Sequence, residues 1–336
     1  MARLGQIQMK MLLKDIIYKG IETISVQYPQ VEAREMVFAY MEDVFGIRRH
    51  DHILEPDRIL TEEQAKRALR DFERMASGEP LQYVTGKAHF YGRQFRVTPD
   101  VLIPRQETEL LCNDVLLVSD SLSGHNPKVL DLCTGSGCIA WTFALEMPGT
   151  QVTAVDISEE ALKVASSQDF GEELSRTGAL KPIFIKADVL KGPESCLELY
   201  EGPDSGQSLT GSSEPSQPVS PDFPEYDIIV SNPPYVMDSE KASMRTNVLD
   251  HEPHLALFVP DDDPLKFYRA VAVWTIRLLK EDGIGIVEIN EALGKETAEI
   301  FSAAGFKYTE IIRDLHEKER FVRFSKVPFF KKNRFF

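Results

Sequence analysis

An apolar run, Asp227-Ile228-Ile229-Val230-Ser231, stops abruptly at Asn232-Pro233-Pro234-Tyr235. Two successive prolines remove two backbone donors and fix φ, so the turn is stiff and its carbonyls remain available as acceptors. The Asn232 side-chain oxygen and the Pro233 carbonyl can together grip a planar NH₂ group, with Tyr235 offering a flat face against it. An amide nitrogen is a poor nucleophile because its lone pair is delocalised into the carbonyl. A site that alkylates one must hold both hydrogens and aim the nitrogen along the axis of the departing bond. Acceptors placed this way gain strength as positive charge grows on nitrogen, and near-attack positioning lowers the barrier further. No strong base is required beforehand, since the alkylated nitrogen is acidic and sheds its proton afterwards. That fits a motif with no histidine or cysteine directly beside it.

A second cluster lies upstream. Asp131-Leu132-Cys133-Thr134-Gly135-Ser136-Gly137 closes a strand and leads directly into a helix. Gly135 and Gly137 permit positive φ and close approach of a ligand to backbone, and the amides of the opening helix face whatever binds there. A further strand ends at Asp156, about twenty residues past the glycines, where a carboxylate can accept both hydroxyls of a ribose. Ser158 can cap the following helix, which leaves Asp156 free for that task. Ala140 stands where a dinucleotide loop would have its last glycine, so a single nucleoside is expected rather than a pyrophosphate. No Gly-Lys-Ser/Thr follows, which excludes a phosphate-cradling P-loop. Asp188 and Val189, at the end of a third strand, would meet an adenine edge.

His251-Glu252-Pro253-His254 has the residue types of a metal site, but Pro253 opposes the regular helix that would set both histidines on one face. No metal is expected there, and the segment is read as shaping the substrate pocket. The four cysteines, Cys112, Cys133, Cys138 and Cys196, include no C-x-x-C pair, and Cys133 and Cys138 do not match a zinc spacing. Such sparse usage suits a reducing cytosol.

These residues need elements to position them. Residues 1 to about 80 read as three amphipathic helices by their 3.6-residue period. One carries Leu12, Leu13, Ile16, Ile17 and Ile21; another, after Pro29, carries Met36, Val37, Tyr40, Met41, Val44 and Phe45. The third opens on a capping box at Thr61 and Gln64 and ends at Gly78 and Pro80. His89 to Val97 reads as a hairpin turning at Gly92-Arg93. Beyond residue 127, strands at Val129–Cys133, Val152–Ile157, Ile183–Val189, Tyr226–Ser231, Gly285–Ile289, Lys307–Arg313 and Arg320–Ser325 alternate with helices. One helix is expected to start with Asp263 as N-cap and Pro264 at N1. Alternating β and α implies a parallel-dominated sheet covered on both faces.

The expected organisation is therefore a helical domain over 1–85, a β-hairpin linker over 86–105, an α/β domain over 106–328 and a tail over 329–336. Residues 202–222, crowded with Ser, Pro and Gly, read as a flexible surface insertion. The chain has 336 residues, 43% of them hydrophobic, and a formal net charge of −15. Such an acidic surface repels phosphate backbones, which argues against stable binding of nucleic acid. No apolar run is long enough to span a bilayer, so no membrane association is expected.

Taken together, these residues resemble the HemK/PrmC family of protein-(glutamine-N5) methyltransferases, which modify peptide chain release factors. The resemblance covers nearly the whole chain and rests on Ile103-Pro104-Arg105-Gln106-Glu107-Thr108-Glu109, Asp131–Gly137, Asp156, Asn232–Tyr235 and Glu252-Pro253-His254-Leu255-Ala256-Leu257. The Asn-Pro-Pro-Tyr signature by itself also looks like that of DNA-adenine and rRNA-guanine aminomethyltransferases. The resemblance implies an α/β, class I S-adenosylmethionine methyltransferase fold, with a Rossmann-like seven-stranded sheet and a small N-terminal helical bundle. It implies a glutamine substrate in a Gly-Gly-Gln loop. The cofactor S-adenosyl-L-methionine would touch Asp131, Cys133, Thr134, Gly135, Ser136, Gly137, Asp156, Asp188, Val189 and Asn232. Asn232, Pro233 and Tyr235 would serve catalysis, and Asn232 to Tyr235 with Glu252 would hold the substrate. The N-terminal bundle would dock a class 1 release factor, and a cytoplasmic monomer is expected. The alternatives are glutamine methylation of a ribosomal protein and exocyclic-amine methylation of rRNA or DNA. Three departures stand out: Cys133 where many relatives have glycine, Gln106 where proline is usual, and a longer 202–222 segment.

Overall fold

The computed structural model describes residues 11–119, 126–196 and 224–329. The expected insertion at 202–222, and the tail beyond Phe329, lie outside the described residues. The chain forms two compact units. Among the described residues, the first gathers those up to Lys87 with Val97–Pro99 and Met244–His251; the second holds Ala88–Arg96, those between Asp100 and Ser243, and those from Glu252 to Phe329.

The first unit is built on helices α1 (Leu13–Ile24), α2 (Gln30–Phe45) and α3 (Glu62–Ala76). Their apolar stripes meet in one core that includes Leu13, Ile16, Val37, Met41, Ala68 and Phe72. The expected capping box at the start of α3 is present: the Thr61 hydroxyl accepts the Gln64 amide at 3.1 Å, and the Gln64 side chain accepts the Thr61 amide at 3.0 Å. Gly20 lets α1 approach α3 closely, because a Cβ there would sit 2.6 Å from the Phe72 ring. The segment Met244–His251 returns to this unit late in the chain, and Arg245 pairs with Glu32 at 3.2 Å.

The second unit is organised by a seven-stranded sheet. Its strands are β1 (Lys128–Leu132), β2 (Gln151–Asp156), β3 (Ile183–Lys186), β4 (Tyr226–Ser231), β5 (Leu279–Glu288), β6 (Tyr308–Arg313) and β7 (Glu319–Ser325). They lie in the order β6-β7-β5-β4-β1-β2-β3. All neighbours from β5 to β3 are parallel, while β7 runs antiparallel to both β5 and β6. Because strand side chains alternate, Leu130, Leu132, Ile229 and Val287 pack on one face with helices α7 (Lys266–Leu278) and α8 (Gly294–Ala303). Val129, Ile228, Val230 and Ile286 pack on the other, with α4 (Gln106–Ser119) and α5 (Cys138–Glu146). Helix α5 is apolar nearly all round and is buried along its length, as such a pattern requires.

Three details differ from the sequence reading. The hairpin Lys87–Phe90/Arg93–Arg96 turns at Tyr91 and Gly92, one residue early, with φ of 50° and 71°. That left-handed pair matches the twist of a tight hairpin, and Tyr91 is held in it by donating its amide to Glu109 at 2.9 Å and its hydroxyl to Asn113 at 2.7 Å. Strand β3 stops at Lys186, because Asp188 turns the chain into a 3₁₀ turn (Val189–Lys191) and caps it by accepting the Leu190 amide at 3.0 Å. Helix α7 begins at Lys266 rather than Pro264, since the Asp263 carboxylate is taken by Arg269 and caps no amide.

Candidate active site

The parallel strands bring the singled-out residues to one edge of the sheet. Leu132 of β1 is paired with Ser231 of β4 and with Val155 of β2, so Cys133, Asn232 and Asp156 are all next along their strands at the carboxyl edge. The Ser231 hydroxyl ties the two central strands by donating to the Leu132 carbonyl at 2.8 Å. Loops that leave parallel strands at this edge are where open α/β sheets hold ligands.

The Gly-rich turn takes an unusual path. Cys133, Gly135 and Gly137 all have positive φ, at 63°, 54° and 79°. A Cβ at Gly137 would lie 2.9 Å from the Ala165 side chain, so this glycine is needed for packing. A Cβ at Gly135 would meet nothing within 4 Å, so that glycine leaves open backbone for a ligand. Burial holds the Cys133 thiol well above its ordinary pKa, with the Asp156 and Asp131 charges adding to the rise. Gln168 clamps the turn to the hairpin: its amide group donates to the Arg96 and Ser136 carbonyls at 2.9 and 3.2 Å, and its oxygen accepts the Arg96 amide at 2.8 Å.

Asp156 is half-buried and accepts one amide on each oxygen, from Gly135 at 2.8 Å and from Ser158 at 2.9 Å. A carboxylate has about four lone-pair positions, so each oxygen keeps one for a hydroxyl donor. Its pKa is raised by burial, against the lowering effect of the Ser158 and Gly135 amides. Ser158 caps the next helix, α6 (Glu159–Ser166), by accepting the Ala161 amide at 3.1 Å, as expected.

Asp131 and Glu252 stand differently from expectation. Asp131, expected to touch a cofactor, is 0% exposed and supports the turn from beneath, accepting the Thr134 hydroxyl at 2.6 Å. Its other oxygen has no partner at hydrogen-bond geometry, and the Ala140 amide acts on the carboxylate only weakly. Burial pushes its pKa up to about 7, with the nearby Asp156 charge contributing. Glu252, expected to contact substrate, has a side chain only 1% exposed. It accepts from Arg105 at 2.6 Å and from the Ile103 amide at 3.3 Å, and so anchors the segment that leads into α4. Asp188 is spent partly as a cap, and the Val189 carbonyl accepts the Trp274 indole at 2.9 Å. The edge expected to meet an adenine is thus rigidly held.

At the Asn232–Tyr235 corner, both prolines are buried while Asn232 and Tyr235 are partly open. Tyr235 donates its hydroxyl to Glu288 at 2.9 Å. Burial keeps that phenol well above its ordinary pKa, and the Glu288 charge adds to this, so it stays a neutral donor. Its carbonyl accepts from Asn290 at 3.2 Å, and the same Asn290 amide reaches Glu240 at 2.8 Å. Thr108, in the first turn of α4, donates to Glu288 at 2.7 Å and accepts from the Asn232 amide at 3.3 Å. Thr108, Glu288 and Asn290 carried no assigned role in the sequence reading. The available signal for Glu288 was a single carboxylate ending the apolar run Gly285-Ile286-Val287.

Comparison with known proteins finds relatives along most of the chain. The PrmC N-terminal domain model matches residues 24–86, and the methyltransferase small domain model matches residues 109–190. A release factor glutamine methyltransferase of Bacteroides thetaiotaomicron is 37% identical over 295 residues, covering 88% of this chain and 93% of the relative. One from Flavobacterium psychrophilum is 33% identical over 314 residues, covering 93% and 99%. One from Streptococcus pneumoniae is 35% identical over 271 residues, covering 80% and 83%.

Proposed function

The chain belongs to the release factor glutamine methyltransferase family, and on that premise we propose that it methylates the side-chain amide nitrogen of a release-factor glutamine, using S-adenosylmethionine. The substrate we assign is the glutamine of a Gly-Gly-Gln loop. The observation that carries the reading is the Asn232–Tyr235 corner, set on the strand next to the Gly-rich turn and partly open at the same sheet edge.

The residues present fit this cofactor. Asp156 keeps two lone pairs for the ribose hydroxyls, and the space beyond Gly135 is open. Asp188 and Val189 are assigned to the adenine edge, and Cys133 to Gly137 to the backbone cradle. When bound, S-adenosylmethionine supplies an electrophilic methyl carbon on a sulfonium. The Asn232 oxygen and the Pro233 carbonyl accept the two N–H bonds of the glutamine, holding its lone pair toward that carbon. Methylation would put positive charge on that nitrogen, and the Asn232 oxygen and Pro233 carbonyl would then bind its N–H groups more tightly than in the ground state. The proton then leaves the alkylated nitrogen. Tyr235, fixed through its hydroxyl, offers its ring to the planar amide.

The helical unit is the part assigned to docking the release factor. No helix among the described residues is long and apolar enough to cross a membrane, and we place the protein in the cytoplasm as a monomer. The test is incubation with labelled S-adenosylmethionine and a panel of release factor, ribosomal protein, rRNA and DNA, with mass spectrometry to locate the added methyl. Label on a release-factor glutamine supports the reading; label only on ribosomal protein or nucleic acid replaces it.

A further inference from the structure

Glu288 closes an apolar strand yet is 2% exposed, with both carboxylate oxygens engaged. Thr108, also 2% exposed, lies between it and Asn232. A hydroxyl has one proton to give. The Thr108 proton is committed to the Glu288 carboxylate at 2.7 Å, so toward Asn232 the hydroxyl can only accept. Asn232 must therefore present its NH₂ to Thr108, at 3.3 Å, and turn its oxygen the other way. Among the described residues, nothing donates to that oxygen.

We infer that Glu288 is a positioning residue for the reaction: acting through Thr108, it fixes the flip of the Asn232 amide so that an acceptor, and not a donor, faces the substrate NH₂. This rests on the proposed reading of the site. Without the carboxylate the Thr108 proton is released, and the opposite arrangement becomes equally good, with the hydroxyl donating to the Asn232 oxygen. That flip would set an NH₂ against the substrate's own NH₂, where neither can accept. The second arm of Glu288 reaches the Tyr235 hydroxyl, so one buried carboxylate orients both polar side chains of the corner.

The arrangement works only with Glu288 ionised, as acceptor to two donors. Burial raises its pKa, while the Thr108 and Tyr235 hydrogen bonds and the Arg320 charge lower it and the Glu107 charge raises it again. The thiols of Cys112 and Cys138 and the Tyr268 phenol also sense its charge. Arg320 is itself held by Asp314 at 2.8 Å. Protonation of Glu288 turns one acceptor into a donor, so turnover should fall as pH drops, with a midpoint above that of an ordinary glutamate.

The experiment compares Glu288→Gln, Thr108→Val and Thr108→Ser with the unaltered protein, measuring kcat on release factor, cofactor affinity by calorimetry and thermal stability. Loss of one preorganised polar group costs on the order of 10²-fold to 10³-fold in kcat, and Glu288→Gln and Thr108→Val should each fall in that range. Cofactor Kd should change less than about threefold in both, a gap that mere unfolding would not produce. Thr108→Ser, which keeps the hydroxyl, should recover most of what Thr108→Val loses, and Glu288→Gln should add little in the Thr108→Val background. Wild-type kcat in a folded Glu288→Gln, or equal losses in Thr108→Ser and Thr108→Val, would overturn the inference. A separate readout needs no methyl acceptor. The Asn232 side-chain amide NMR signal, assigned by its absence in Asn232→Asp, should shift in Glu288→Gln and titrate with pH in the unaltered protein. A signal unmoved by either overturns the positioning role even if the substrate assignment holds. A signal that moves upholds it even if no substrate on the panel is methylated.

Discussion

Replacing Asp131 by Asn should make the protein more stable relative to the unaltered chain as pH rises, because the native carboxyl is costly to ionise where it lies. The side chain is 0% exposed, its Oδ2 is satisfied by Thr134, and its Oδ1 has no complete partner. Its pKa rises from 3.8 to about 7 on folding. A folded pKa above the unfolded one means the native state binds the extra proton between those values. The contribution to stability is therefore whole below about pH 4, declines as pH rises, and is fully lost above about pH 7. The full shift is worth about 4 kcal/mol, and roughly 2–3 kcal/mol of it falls between pH 5 and pH 8. Asn keeps the acceptor for Thr134 and cannot ionise, so its stability should lack this component. Its unpaired NH₂ carries a cost of about 1–3 kcal/mol, but that offset does not vary with pH. Urea unfolding of both proteins without cofactor, at intervals from pH 5 to pH 8, would show the difference between them drifting in favour of the variant. Two curves that stay parallel across that range would refute the reasoning.

Three further outcomes are expected. Asp156→Ala should weaken S-adenosylmethionine binding by about 1.5–3 kcal/mol, and unchanged affinity by calorimetry would remove the ribose assignment. Asn232→Ala should lower turnover about 10²–10³-fold, with cofactor affinity measured separately; turnover close to wild type would sink the acceptor role. Gly285→Ala should lower stability by about 1–3 kcal/mol through overpacking. Its Cβ would fall 2.0 Å from the Phe324 ring, which cannot swing away because it is stacked on Phe301 at 3.8 Å. A melting temperature within error of wild type would contradict that contact.

Much of the architecture could be read from periodicity alone. The run Tyr226–Ser231 is a strand over its full expected length, because a short segment centred on Ile228-Ile229-Val230 and bounded by prolines has few alternatives. The Thr61 capping box was equally legible, since both partners lie within one turn. Boundaries failed where a side chain had competing partners. Asp263 prefers Arg269 to a capping role, and Asp188 ends β3 early by binding the Leu190 amide. Within the site, the residues assigned to the ligands announced themselves by type, as Asp156 and Asn232 do. Thr108, Glu288 and Gln168 did not, because their meaning lies in contacts across 180, 180 and 72 positions of sequence. Conversely, Asp131 and Glu252 have the right type for ligand contact, but burial makes them supports.

The smaller unit is assembled from three separate stretches of chain, and this limits how evolution or an experimenter can move it. A fragment ending at residue 87 would lack Met244–His251 and with it the Arg245 partner of Glu32. Exchange of the helical part between relatives by a single crossover would therefore mix a borrowed bundle with a resident closing segment. Grafts that carry all three stretches should fold as the parent does, so this unit is inherited from distant places in the gene at once.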